Sequence, residues 1–548
     1  MDRHDWCEVS PIGDLLVKGA VFHPERDAIV FPDTRSTYGA LLDGAVAVAR
    51  ALLALDVKPG EHVGLMAANG LAFVEAFFGI AMLGCVAVPL HARHKAGELA
   101  YIIENADLVA VLTTAEASDH VEFMALFRAA LPSLAMAADP ARLALPEAPR
   151  LRNILLLRGD AAPGCIGHLD LQRHASATDA ARVHAARQQV RIRDTGAILY
   201  TSGTTNHPKG CLLSHEALVR GAVQRARRRF RHAGHGVTWG AGPLFHIGSL
   251  APMLGAIGSG GTYVTDTIFD AGRALALIQR ERADTVFPWF PAIVRALLDH
   301  PDFNPARLPA LRSFVTIGPA ALIERIQCLL PQAELIQACG MTETAGIYAI
   351  TGASDTARER THSNGKPAPG IEVSIRDLDT GAPAAPGTVG EILVRGYCVT
   401  EGYYRDPVKT TQAIDGARWL HTGDLYLQDS DGNLVFHGRL KDMLKVGGEN
   451  VAAIEVESLL CAHPAVKAAE VVGMPDERLD EVAAAFIEVK QGATLTAEQL
   501  IAFCKGRIAS FKIPRAVLFI SAEQWPMSAT KVDKRVLRTR LAAALAEK

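Results

Sequence analysis

Residues 200–211 read YTSGTTNHPKGC, a stretch with four aliphatic hydroxyls (Thr201, Ser202, Thr204, Thr205), two glycines (Gly203, Gly210) and one lysine, Lys209. Hydroxyls and free backbone N–H groups in a turn can surround phosphate oxygens, and the ammonium adds a full positive charge. The spacing is not that of the common P-loop, GxxxxGK followed by Ser or Thr, because Gly210 and Cys211 follow Lys209. Clusters of Ser, Thr and Gly also serve as plain surface turns, so the loop alone suggests phosphate binding without specifying it.

The elements around the loop decide how it is held. TGAILY ahead of it reads as a buried strand and LSHEALVRGAV beyond it as a helix, so residues 201–210 are read as a strand-to-helix connection. From about residue 25 to about 400, short apolar runs such as HVGLMAA, LVAVLTT, TVFPWF, SFVTIG and AELIQACG alternate with helical patterns such as FVEAFFGIAML and PAIVRALLDH. That alternation predicts largely parallel sheets with crossover helices. Further on, IEVSIRDLDTG, GEILVRG and NLVFHGR alternate with period two around turn residues, which predicts a barrel-like antiparallel subdomain. A small α+β unit closes the chain. The predicted fold is α/β: a large N-terminal domain over 1–438, a hinge at 439–442 in the charged tetrapeptide RLKD, and a small mobile C-terminal domain over 443–548.

Composition agrees with this size and sets exclusions. At 548 residues the chain exceeds the roughly 250–300 at which one core stops growing. A net charge of −3 offers no basic face for nucleic acid. The local run Arg225, Arg227, Arg228, Arg229 and Arg231 is read as the solvated C-terminal end of a helix, whose dipole favours cations. Nine scattered cysteines contain no CxxC pair and no metal spacing with histidine, which fits a reducing cytosol. MDRHDWCEVSP lacks the basic-then-apolar order of a secretion signal. Residues 71–90, the most membrane-like stretch, carry Glu75, Gly79, Gly84 and Pro89 and read as a buried helix followed by a strand. No transmembrane segment and a cytoplasmic location are expected.

Further segments follow in a fixed order over nearly the whole length. YTSGTTNHPKG is similar to YTSGTTGxPKG, the signature of the adenylate-forming superfamily, the AMP-binding acyl-CoA synthetases. QACGMTETAG resembles that family's YGxTE segment, HTGDL its TGD segment, and GRLKDMLKVGGENV its hinge and following strand. FKIPR and WPMSATKVDKRVLR resemble its closing segments, and GYYRDP and GMPDE also fit. The ordered set is far more specific than any one member.

The resemblance implies a two-step ligase. A carboxylate attacks the α-phosphate of ATP to give an acyl-adenylate and pyrophosphate, and the thiol of coenzyme A then displaces AMP. Each step needs charge stabilisation more than proton transfer, since the attacking acid is already ionised at neutral pH. By this resemblance Thr201, Ser202, Gly203, Thr204, Thr205 and Lys209 hold the departing phosphates, Glu343 and Thr204 serve Mg²⁺, and Thr342 contacts the α-phosphate. Gly318, Pro319 and Ala320 pass the adenine, Asp424 accepts both ribose hydroxyls, and Arg439 contacts the ribose from the hinge side. Lys531 bridges the substrate carboxylate and the α-phosphate. Rotation about Lys441 withdraws it and brings Gly447 and Gly448 against the pantetheine arm. Lys445, Phe511, Lys512 and Arg515 are secondary candidates for contacts with CoA. Without the family, Glu343 reads as a helix N-terminal acid, TGD as a turn, and KVDKR as a solvated face.

The chain departs from the family in three places. Asn206 replaces a glycine, although Asn tolerates the left-handed backbone region best among side chains. Cys339 stands where a tyrosine stacks on adenine. PMSATK is one residue shorter than PxTxxGK and lacks its glycine, which leaves Lys534 as a second candidate for the lysine. An acyl pocket is expected from PLFHIGSL and FPWFPAI, with Phe245, His246, Ile247 and Trp289 favouring an apolar or cyclic acid. His246 reads equally as a hydrogen-bonded pocket residue. Alternatives are loading of a carrier-protein thiol and a catalytically silent nucleotide-binding relative. The oligomeric state stays open, a homodimer included.

Overall fold

The computed structural model describes residues 9–92, 94–114, 122–201, 208–230, 235–446, 449–476, 478–528 and 531–546. The chain forms two units. One takes the chain to residue 361 with 365–372 and 394–420; the other takes 362–364, 373–393 and 421–548.

In the first unit a seven-stranded sheet runs, in spatial order, Gly402–Tyr403, Lys209–Ser214, Thr195–Thr201, Val86–Pro89, His62–Met66, Leu108–Thr113 and Asn153–Leu156. The strands from Thr195–Thr201 onward are parallel. Lys209–Ser214 is antiparallel to both its neighbours. A nine-stranded sheet has parallel central strands and antiparallel pairs at both edges. Every residue of Leu108–Thr113 is buried, as a parallel strand covered on both faces requires. Helices Ile12–Phe22, Tyr38–Ala54, Leu71–Met82, His215–Gln224 and Ile247–Gly258 share one core with residues of both sheets, including Val63, Ala110 and Tyr263. The membrane-like stretch is the helix Leu71–Met82, buried at all its residues but Leu71 and Glu75, followed by the strand Val86–Pro89, as expected. At Gly79 an added Cβ would lie 2.7 Å from the Ala45 carbonyl oxygen, so this glycine sets how closely two helices pack.

Two expectations need correction. The loop after Thr201 joins two strands, not a strand and a helix. Thr201 pairs with Lys209 and Leu199 with Cys211, and the helix starts only at His215, where Ser214 Oγ accepts the Ala217 N–H at 3.2 Å. Ser214 is the N-cap, so the run KGCLLS ahead of it is free to extend, and it does so along the open edge of Thr195–Thr201. The described base of this loop is therefore a β-rung, and helix His215–Gln224 begins only past strand Lys209–Ser214. The arginine run does end the helix, as expected, but it is only partly solvated: Arg227 is exposed, Arg225 and Arg229 are not, and Arg231 lies outside the described residues. Residues Arg225–Arg229 form a π-helical turn; Arg225 is buried and donates to the Ile347 carbonyl at 3.1 Å, and Arg229 forks onto Glu334 at 2.9 and 2.7 Å. Arg225 and Arg229 spend their guanidinium donors on protein acceptors, which a helix-terminal dipole argument does not anticipate.

The second unit holds most of a four-stranded antiparallel sheet, Ile371–Arg376, Gly390–Gly396, Leu420–Gln428 and Leu434–Arg439. It also holds a five-stranded sheet built around the long hairpin Val466–Asp476 and Asp480–Val489. Helix Ala453–Cys461 packs on that hairpin in a core with Leu444, Val471 and Ile487. Among the described residues, no helix is long and apolar enough to cross a membrane.

Candidate active site

In the first unit, Thr201 and Lys209 form the last rung before the hydroxyl loop. Ser202, Gly203, Thr204, Thr205 and Asn206 lie outside the described residues. The next strand along the sheet edge is Gly402–Tyr403, with Tyr403 opposite Cys211. The Lys209 ammonium sits 4.7 Å from the centre of the Tyr403 ring. The Tyr403 hydroxyl donates to Glu343 Oε1 at 3.0 Å. Glu343 occupies the short 3₁₀ turn Thr342–Thr344 that follows strand Glu334–Met341. Thr344 Oγ1 fastens the turn by donating to the Gly346 carbonyl at 2.7 Å, and the Thr400 N–H donates to the Glu343 carbonyl at 2.8 Å. Burial, then the nearby Glu343 charge, raise the pKa of the buried Cys211 thiol well above the usual thiol value. Burial and the same carboxylate raise Tyr403, which stays a neutral donor. A half-buried carboxylate fixed by a phenol, beside a rung that opens into hydroxyls, is the oxygen-donor chemistry that suits Mg²⁺.

Gly318 follows strand Ser313–Thr316, and Pro319 caps helix Ala320–Leu329. Cys339 is buried on the neighbouring strand Glu334–Met341. Of the expected pocket residues, His246 and Trp289 meet at Gly248. His246 caps helix Ile247–Gly258, its Nδ1 accepting the Gly248 N–H at 3.0 Å, while the Trp289 indole N–H donates to the Gly248 carbonyl. One ring nitrogen of His246 is thus engaged as a helix cap. Phe245 lies tilted against His91 with ring centroids 4.3 Å apart, whereas Ile247 turns into the main core. Trp289 has φ +56°, an uncommon value for a bulky side chain, in a tight turn closed by Phe290 N–H to the Pro288 carbonyl at 2.6 Å.

In the second unit, Asp424 and Arg439 face each other across strands Leu420–Gln428 and Leu434–Arg439, with Oδ1 and Nε 3.3 Å apart. Gly423 takes φ +69° and donates its N–H to Glu391 Oε1 at 2.9 Å, so the glycine of HTGDL answers a backbone need. Lys441 lies on the 3₁₀ turn Leu440–Asp442 with its pKa lowered by burial and then by Arg439. Strands Met443–Val446 and Glu449–Ala452 pair antiparallel, Val446 opposite Glu449; Gly447 and Gly448 between them lie outside the described residues. Lys531 opens the short strand Lys531–Val532, paired with Met527–Ser528. Lys534, three residues on, is committed elsewhere: its Nζ meets Glu457 Oε1 at 2.5 Å and Glu470 Oε2 at 3.4 Å. Burial opposes the charge on Lys534, but the two carboxylates outweigh it and raise its pKa. Burial, then Glu457, push Glu470 up to about 7. Lys512 likewise pairs with Glu455 at 2.7 Å. Sequence reasoning missed Tyr403 and the Cys211 thiol, although GYYRDP, with paired aromatics after a glycine, carried the signal.

The family model for AMP-binding enzymes matches residues 17–404, and that for the AMP-binding enzyme C-terminal domain matches residues 455–531. The chain belongs to this adenylate-forming family of ligases. It is 34% identical over 519 residues to the 7a-methyl-1,5-dioxo-octahydro-1H-inden-4-yl propanoyl:CoA ligase of Rhodococcus jostii (strain RHA1), covering 94% of this chain and 95% of that one. It is 30% identical over 543 residues to the mitochondrial medium-chain acyl-CoA ligase ACSF2 of Bos taurus, covering 97% and 87%. Among solved structures, the anthranilate CoA ligase AuaEII in complex with anthranoyl-AMP superposes with a TM-score of 0.83 at 27% identity, covering 99% of this chain and 100% of that one.

Proposed function

We propose that the protein couples ATP to a carboxylic acid, forming an acyl-adenylate and pyrophosphate, and passes the acyl group to coenzyme A with release of AMP. The observation that carries this reading is the Lys209–Tyr403–Glu343 cluster at the rung below the hydroxyl loop, in a chain alike over nearly all its length to CoA ligases. Lys209 and Thr201 hold the departing phosphates, with Ser202, Gly203, Thr204 and Thr205 completing the loop. Glu343, with Thr204, would hold Mg²⁺, which supplies neutralisation of phosphate charge when bound. Thr342 meets the α-phosphate, and Gly318, Pro319, Ala320 and Cys339 border the base. Asp424 takes the ribose hydroxyls while Arg439, with Nε 3.3 Å from its Oδ1, keeps that carboxylate aimed. Lys531 offsets the negative charge that grows as the acid attacks, a preorganised electrostatic role. Lys441 marks the hinge, and Gly447 and Gly448 leave room for pantetheine.

Phe245, His246 and Trp289 favour an apolar or cyclic acid, in line with the indenyl and medium-chain acyl groups in the relatives' names. A reducing cytosol suits the described cysteines, none of which is disulfide-bonded. The test is pyrophosphate release with a panel of medium-chain, alicyclic and aryl acids, with and without CoA. Release that requires ATP and one acid class, with thioester formed only when CoA is present, is expected. ATP binding without release for any acid would overturn the reading.

A further inference from the structure

An ammonium and a carboxylate that border the same loop attract each other, and partial burial strengthens that attraction toward an ion pair. Lys209 and Glu343 are not so paired: among the described residues no ion pair joins them. Tyr403 stands at both. Its ring face takes the Lys209 ammonium at 4.7 Å, and its hydroxyl donates to Glu343 Oε1 at 3.0 Å. The ring cannot swing away, because it is buried and its backbone is held on two sides. Tyr403 pairs with Cys211 in the sheet, and its N–H donates to Thr410 Oγ1 at 2.9 Å. Close packing of Thr410 is allowed by Gly402, where φ is +138° and an added Cβ would lie 2.6 Å from Thr410 Cγ2. Asp406, the other nearby acid, is engaged by the Lys409 side chain and N–H.

We propose that Tyr403 is a positioning residue, a spacer that keeps the phosphate-loop lysine and the magnesium-binding glutamate from neutralising each other before nucleotide arrives. This rests on the roles proposed above for Lys209 and Glu343. A π face attracts an ammonium without cancelling its charge, and a phenol donates to a carboxylate without becoming a cation. Each partner is therefore held in place without being paired to the other, and each contact is weak enough to be exchanged for a phosphate oxygen or a metal ion.

The test measures binding without turnover, using isothermal titration of the purified full chain with α,β-methylene-ATP and magnesium. Tyr403→Phe keeps the ring and loses the hydroxyl; Tyr403→Leu loses both. Affinity is expected to fall about threefold in the first and more than about tenfold in the second, since each contact is a fraction of the roughly 1.4 kcal/mol that makes a factor of ten and the lost spacer adds the ion pair to be broken. A crystal structure of nucleotide-free Tyr403→Leu is expected to show Lys209 and Glu343 in direct contact. Lys209→Ala and Glu343→Gln separate the two layers of inference. If they bind the analogue like the wild type, the assigned roles are wrong. If they lose binding while both Tyr403 variants keep it, or if Lys209 and Glu343 stay apart in Tyr403→Leu, the spacer is overturned and the roles stand.

Discussion

Lys531 and Lys534 are the same residue type within one short segment, and the ion pairs of Lys534 give it a separate task. Lys534 is enclosed by Glu457 and Glu470, with Glu457 also accepting the Val471 N–H at 2.8 Å, so its charge is spent on docking helix Lys534–Ala546. Replacing it leaves two carboxylates partly buried and uncompensated. Lys534→Met is expected to cost about 3 kcal/mol in urea denaturation of the second unit. Lys531→Ala is expected to leave that midpoint unchanged and to reduce adenylation, measured as pyrophosphate release, by more than about a hundredfold, the scale of losing one preorganised charge. Adenylation surviving in Lys531→Ala would return the role to Lys534 and set the ion-pair geometry aside.

At the scale of the element, helix His215–Gln224 is tied to helix Ile12–Phe22 by the buried His215, whose Nδ1 accepts the Ile12 N–H at 3.2 Å. Burial lowers the His215 pKa to about 4, so the folded state holds the neutral ring while the unfolded chain titrates near 6.5. The stabilisation is complete above pH 6.5 and is lost as pH falls toward 4, to a limit of about 3 kcal/mol. His215→Gln is expected to remove this slope, read by denaturant midpoints across that range. The same helix shows what could be read from sequence and what could not. Its own pattern and the strand TGAILY were legible because periodicity is local. The extension of KGCLLS was not, because a strand needs an edge and a partner, and one partner is Gly402–Tyr403, remote in the chain. The candidate site divides likewise. Lys209, Glu343 and Asp424 stand in ordered segments, but Tyr403 gains its meaning from Glu343, 60 residues away, and Lys534 from Glu457, 77 residues away.

Over the whole molecule, the two units carry buried titrations of opposite sign. Glu470 has its pKa raised to about 7 by burial and by Glu457. Its contribution is therefore full below its ordinary value of 4.5 and is lost as pH rises toward 7, the reverse of the His215 effect. Between about pH 4.5 and 6.5 these two groups move the unfolding of their units in opposite directions as pH rises. Calorimetry is expected to show it as two transitions, with His215→Gln flattening the pH dependence of one and Glu470→Gln that of the other. A single transition altered equally by both substitutions would show that the units unfold together.

The cysteines also divide between the units. Cys85, Cys165 and Cys398 are buried, with thiols pushed up to about 12 by burial first, and so they are slow to react. Cys328 in the first unit and Cys461 in the second are exposed. The native sequence thus supplies one accessible attachment point on each unit among the described cysteines. A donor and an acceptor fluorophore placed there would let energy transfer follow the two units through a catalytic cycle, first on adding ATP and acid and then on adding the thiol.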